Sequence, residues 1–166
     1  MILPRRKRFS EKEIQILEKL VDDGRMTYTH MAKELGMSPA GVMKKVKKLE
    51  SLGIIKKYTA IVDHAKLGKG YKYIILLKTE PGKHKEVAKK ILNAIEENVL
   101  EIHEITGPYD VVVKVIAGDQ VELNSILQRI LEIPGIKESN TSLVLDTIIE
   151  RISIVPADLK TKKITA

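Results

Sequence analysis

Four lysines in five residues, Lys44, Lys45, Lys47 and Lys48, are the densest chemical feature of the chain, and they follow a strong helix start. Ser38 is a good N-cap, and Pro39 stands at the first helical position, where its missing N–H costs nothing. Val42, Val46 and Leu49 recur at i, i+4 and i+7, so one face turns inward and the lysines fall mainly on the other sides. A short helix offering concentrated positive charge suits a DNA major groove. Its first turns reach furthest. Ser38, Ala40, Gly41 and Lys44 are placed to approach base edges, while Lys45, Lys47 and Lys48 are placed to meet phosphates. With so few base-reading groups, specificity would rest largely on DNA shape and dimer spacing. A second basic cluster, Arg5, Arg6, Lys7 and Arg8, reads equally as an arm in the minor groove or as a solubilising tail.

The other reactive residue types make no catalytic pattern. His30, His64, His84 and His103 lack metal-ligand spacing, no nucleophile is paired with a base, and no phosphate-binding glycine loop is present. Cysteine is absent, which excludes thiolate metal sites, disulfides and thiol catalysis. Neither an enzyme nor a cofactor is expected. Gly107-Pro108-Tyr109-Asp110 reads, on its residues alone, as a tight hairpin turn whose glycine permits a positive φ.

The elements that position the lysines are legible around them. Thr27 caps a preceding helix that ends at Leu35, and Gly36 sits where a helix leaves through a left-handed residue. Small Ala32 lets the two helices approach. Upstream, Ser10 and Glu13 form a capping-box pattern opening a helix with an inner face of Ile14, Leu17 and Leu20/Val21. Downstream, residues 54–62 are rich in β-branched residues and predict a strand wing. These pieces make residues 1–62 a winged helix-turn-helix unit, and residues 63–70, with two glycines and weak patterning, a linker. Charge divides the same way. Residues 1–65 hold 14 Lys and Arg against 8 Asp and Glu, and residues 66–166 hold 15 against 14. The polyanion-binding character thus belongs to the N-terminal part.

Residues 71–166 repeat strand–helix–strand twice. Strands are predicted at 71–79, 99–106, 110–117 and 136–145, with a last strand continuing to about Val155. The two helices carry Val87, Ile91 and Ile95, and Leu123, Leu127, Ile130 and Leu131. This is the ferredoxin-like βαββαβ pattern, a four-stranded antiparallel sheet with both helices on one face. The fold class is α+β. The other sheet face needs a cover, and a second copy of the chain is the simplest one. No run approaches a membrane span and no apolar leader follows the first arginines, so a cytoplasmic protein without membrane contact is expected.

A helix-turn-helix followed by a βαββαβ domain resembles the Lrp/AsnC, or feast/famine, family of transcriptional regulators. The resemblance runs from about Ile14 to Val155 and is carried by DGRMTYTHMAKELGMSPAGVMKKVKKLESLGIIKKYTAIVD, by the GPYD turn and by the IPGI-to-NTSLV passage. It implies double-stranded DNA as partner and an effector-sensing domain of the RAM type, forming homodimers that assemble into tetramers or octamers. It also implies a small-molecule effector, an amino acid, touched by Gly107, Asp110 and Thr141. Asp110 would meet the ammonium and the Gly107 loop backbone the carboxylate. Glu104, on the strand entering the loop, would favour an amine-bearing effector if it faces the pocket. The chain departs from the family in its all-lysine recognition helix, which lacks bidentate arginine readout of guanine, and in Pro108. Two alternatives stay open: an architectural DNA-coating protein with little sequence preference, and a sirohaem decarboxylase-like enzyme, for which GPYD offers no histidine.

Overall fold

The computed structural model describes residues 9–159, which form two compact units, one of residues 9–61 with 149–159 and one of residues 62–148. Arg5, Arg6 and Arg8 lie outside the described residues.

The first unit is built on α1 (Glu11–Asp22), α2 (Tyr28–Leu35) and α3 (Pro39–Ser51). Each helix starts where its side-chain cap dictates. Ser10, Thr27 and Ser38 accept from the backbone N–H of Glu13, His30 and Gly41, and Glu13 returns the bond to Ser10 in a full capping box. Gly36 ends α2 at φ +61°, a left-handed conformation that a Cβ disfavours. Lys12 Nζ donates to the Leu35 carbonyl at 2.6 Å, which satisfies one of the orphan acceptors of α2. Ile16, Met31, Ala32, Leu35, Val42, Val46 and Leu49 make the core. Burying each larger aliphatic side chain stabilises the unit by about 1.5–3 kcal/mol.

The predicted α1 face holds at Ile14, Leu17 and Leu20, but Val21 is 39% exposed and the fully buried Ile16 joins the core unpredicted. One expectation fails outright. Residues 54–62 form no strand. Their β-branched composition suits a ladder, but no partner strand lies alongside them among the described residues, and Ile61 stays 78% exposed.

The second unit carries β1 (Tyr71–Thr79), α4 (His84–Ile95), β2 (Val99–Glu104), β3 (Val111–Ala117), α5 (Gln120–Leu131) and β4 (Ile136–Leu143). The strands pair antiparallel in the order β2-β3-β1-β4, as two βαβ units require. Alternate residues Tyr73, Ile75, Leu77, Val111, Val113 and Val115 pack beneath α4 and α5. On α5 the buried residue is Ile126, whereas Leu131 is exposed, so its apolar stripe runs 123, 126, 130. Strand β4 ends at Leu143, with one further bond from Val144 N–H to the Lys72 carbonyl. The predicted continuation to Val155 is absent, as is the wing: no strand pairs with it among the described residues. The opposite sheet face presents exposed Ile74 and half-buried Leu76 and Val112 beside Lys72 and Lys114, while Ile116 on that face is buried.

Candidate functional site

Burial of Val42, Val46 and Leu49 fixes the rotation of α3, and that rotation sorts its lysines. At 100° per residue, Ala40, Lys44 and Lys47 lie opposite the buried stripe. Lys44 and Lys47 are exposed and make no ion pair among the described residues. Lys45 and Lys48 fall on the flank facing α1. Lys45 Nζ donates to Ser10 Oγ at 3.3 Å, and Lys48 Nζ donates to Glu13 Oε1 at 2.6 Å. Glu13 is 2% exposed, and its Oε2 accepts from the Ser10 N–H at 2.8 Å. Burial pushes its carboxyl up, but the bonds from Lys48 and Ser10 more than reverse this and hold it below the ordinary range. Ser38 and Ala40 are exposed at the start of α3 and Gly41 is half-buried beside them. The Ser38 oxygen is engaged as the cap, accepting from Gly41 N–H at 3.1 Å. A shallow hollow beside the stripe is lined by Glu13, Met37, Gly41, Lys44, Lys45 and Lys48.

The loop between β2 and β3 is held from three sides. Gly107 takes φ +127°, open to glycine alone without strain. Asp110 N–H donates to the Leu77 carbonyl, and its own carbonyl accepts from Ile105 N–H, both at 2.9 Å. Its Oδ2 accepts from Thr79 N–H at 2.7 Å and from the Thr79 hydroxyl at 3.2 Å. The Thr79 N–H chiefly holds the Asp110 carboxyl below the ordinary range, against its burial. The Tyr109 hydroxyl donates to Glu138 Oε1 on β4 at 3.2 Å.

The four residues assigned to an effector do not converge in one chain. Gly107 and Asp110 share the loop, and Glu104 faces Val111 across the β2–β3 pair, next to Asp110. Thr141 pairs with Ile75 on β4, the opposite edge of the sheet. Asp110 is held by Thr79 on β1, the neighbour of β4, and Ile75 lies four residues further along β1, so about 14 Å of strand separates Asp110 from Thr141.

Residues 72–154 match the family model described as the Lrp/AsnC ligand binding domain, and residues 9–56 match one described as winged helix-turn-helix DNA-binding. The chain is 36% identical over 137 residues to the HTH-type transcriptional regulator FL11 of Pyrococcus abyssi, across 82% of this chain and 89% of that protein. The chain belongs to the Lrp/AsnC family. Its fold matches that of AsnC from E. coli with a TM-score of 0.82 at 27% identity, covering 90% of this chain and 100% of that one. The same fold is shared with a transcriptional regulator of Neisseria meningitidis solved as an L-Met complex, with a TM-score of 0.83 at 22% identity over 92% and 99% of the two chains. As an Lrp/AsnC protein it is a DNA-binding transcriptional regulator and not an enzyme. Among the described residues, no helix is long and apolar enough to cross a membrane.

Several residues of this Lrp/AsnC chain acquire roles that sequence reading did not assign. Glu13 is legible as a cap, but its pairing with Lys48 spans 35 residues. Thr79 and Glu138 are tied to the loop over about thirty residues each. Glu122 sits in the first turn of α5 and gathers Lys69, Asn98 Nδ2 at 2.7 Å and the Gly118 N–H at 2.7 Å. The charged first turn of a helix was the only local signal for it.

Proposed function

We propose that this Lrp/AsnC chain is a cytoplasmic, sequence-specific regulator that grips double-stranded DNA with α3. On this reading it assembles through the open face of its sheet, as a homodimer and then a tetramer or octamer. An amino acid modulates it at the β2–β3 loop. The observation that carries the reading is the exposed stripe of Ala40, Lys44 and Lys47 on a helix whose rotation is locked by three fully buried residues. A helix so fixed presents its charge at a constant angle, which groove insertion requires.

The assembly reading is supported by Ile74, Leu76 and Val112, apolar residues of which this chain leaves the first exposed and the others half-buried. The effector reading is supported by the acidic loop of Asp110 and Glu104, which suits an ammonium, and by the class of ligand found on the Neisseria relative. Because Thr141 pairs four residues along β1 from the Thr79 that holds Asp110, a small effector touching both Asp110 and Thr141 would take them from different copies of the chain. Effector binding would then report on assembly directly, with a coupling free energy of about 1–3 kcal/mol.

The test is a fluorescence-anisotropy titration of genomic fragments selected by the protein, against random duplexes of equal length. A specific regulator prefers its fragments by three orders of magnitude or more. Equal affinity for all duplexes refutes specificity and favours the architectural reading. Unchanged affinity for Lys44→Ala/Lys47→Ala removes α3 from the interface.

A further inference from the structure

We infer that Glu13 is a positioning residue that lowers the number of phosphates α3 neutralises, by withholding Lys48 from the DNA. The inference rests on α3 being the DNA-binding helix. The four lysines that look equivalent in sequence are split by the fold. Lys44 and Lys47 stand at the outward pole, whereas Lys48 Nζ lies 2.6 Å from Glu13 Oε1.

The two partners are unequally exposed, and this decides how the pair behaves beside DNA. The Lys48 side chain is 55% exposed, but that of Glu13 is only 3% exposed. Glu13 cannot follow its partner outward, since its Oε2 is held by the Ser10 N–H in the capping box that starts α1. Moving Lys48 onto a phosphate would leave a shielded carboxylate without its counter-charge, among the costliest arrangements a folded protein can adopt. A phosphate nearing Lys48 would also meet the negative charge of Glu13. Lys45 differs, because its hydrogen bond is to the neutral Ser10 hydroxyl and it feels Glu13 only through space, so it can turn outward without stripping the carboxylate of its bonded partner. The helix therefore offers DNA three cations, not four. A smaller charge count trims the sequence-independent part of binding and leaves base and shape contacts a larger share.

Salt dependence counts phosphates directly, and a merely structural role for Glu13 would not change that count. The affinity of the full chain for one duplex is measured between 50 and 200 mM salt. Lys48→Met is expected to keep the wild-type slope. Glu13→Gln, which preserves the capping-box acceptor, is expected to steepen it by about 0.9 per bound helix, an extra loss of about 3.5-fold across that range. Adding Lys48→Met to Glu13→Gln should restore the wild-type slope. The inference is overturned if Lys48→Met alone flattens the slope, or if a folded Glu13→Gln leaves it unchanged. Should either single variant fail to fold, Glu13→Gln/Lys48→Met, which leaves no charge unpaired, decides: a slope flatter than wild type overturns the inference. Lys44→Ala separates the two levels. If it leaves binding untouched, α3 is not the DNA-binding helix and both readings fall; if it flattens the slope and Lys48→Met does so equally, only the role of Glu13 falls.

Discussion

Glu122→Gln removes one charge and almost no volume, and it should unfasten the turn that leads into α5. The carboxylate takes Lys69 and Asn98 Nδ2 on Oε1 and the Gly118 N–H on Oε2. Gly118 packs closely there, since a Cβ at that position would stand 2.6 Å from the Gly68 carbonyl oxygen. Lys69 first, then the Gly118 N–H, draw the Glu122 carboxyl from 4.5 down to about 2, against burial and with help from Asn98. Such a displacement corresponds to about 3 kcal/mol favouring the ionised, folded form. Solvent reaches the side chain, which is 27% exposed, and screens this to about 2 kcal/mol. The folded value lies below the unfolded one, so the stabilisation is complete above about pH 5 and is lost as pH falls from 4.5 toward 2. Urea unfolding followed by far-UV circular dichroism is the assay, since the chain has no tryptophan. Glu122→Gln should be about 2 kcal/mol less stable at pH 7, and the gap to wild type should close by about pH 2. Hydrogen exchange at the Gly118 amide should accelerate in parallel. A loss under about 0.5 kcal/mol at pH 7, or a gap that ignores pH, would refute the reasoning.

Three further outcomes are expected. Ile74→Glu places a charge on the open sheet face beside Leu76 and Val112, and light scattering should show the assembly breaking into smaller species; an unchanged mass means another surface holds the copies together. Asp110→Ala removes the acceptor for both Thr79 donors and should abolish any thermal shift produced by amino acids, whereas Thr79→Val keeps the backbone N–H bond and should retain it. A surviving shift in Asp110→Ala excludes that carboxylate from the effector contact. Gly36→Ala forces a Cβ into φ +61° and should lower stability by about 1–2 kcal/mol, read as a fall in melting temperature with the helical signal intact.

The sequence by itself determined the features written within three or four residues of each other. The caps at Ser10, Thr27 and Ser38, the left-handed exit at Gly36, the inward face of α3 and the order of two βαβ units all stand in the structure as read. The caps and the stripe are local signals, because a cap is satisfied, and a stripe is spelled out, inside its own element. Tertiary structure alone decided what needed a distant partner. The β-branched run at 54–62 and the stretch after Leu143 have strand composition, but a ladder needs a second strand, and this chain supplies none among the described residues. Of the Leu20/Val21 pair it is Leu20 that packs on the core, with Ile16 added, and on α5 Ile126 is buried where Leu131 is exposed, because neighbouring elements select which edge of an apolar stripe is covered. The same holds for the charged residues. Sequence placed four lysines on one helix, and only the approach of α1 separated the two that face solvent from Lys48, which answers a buried carboxylate 35 residues away.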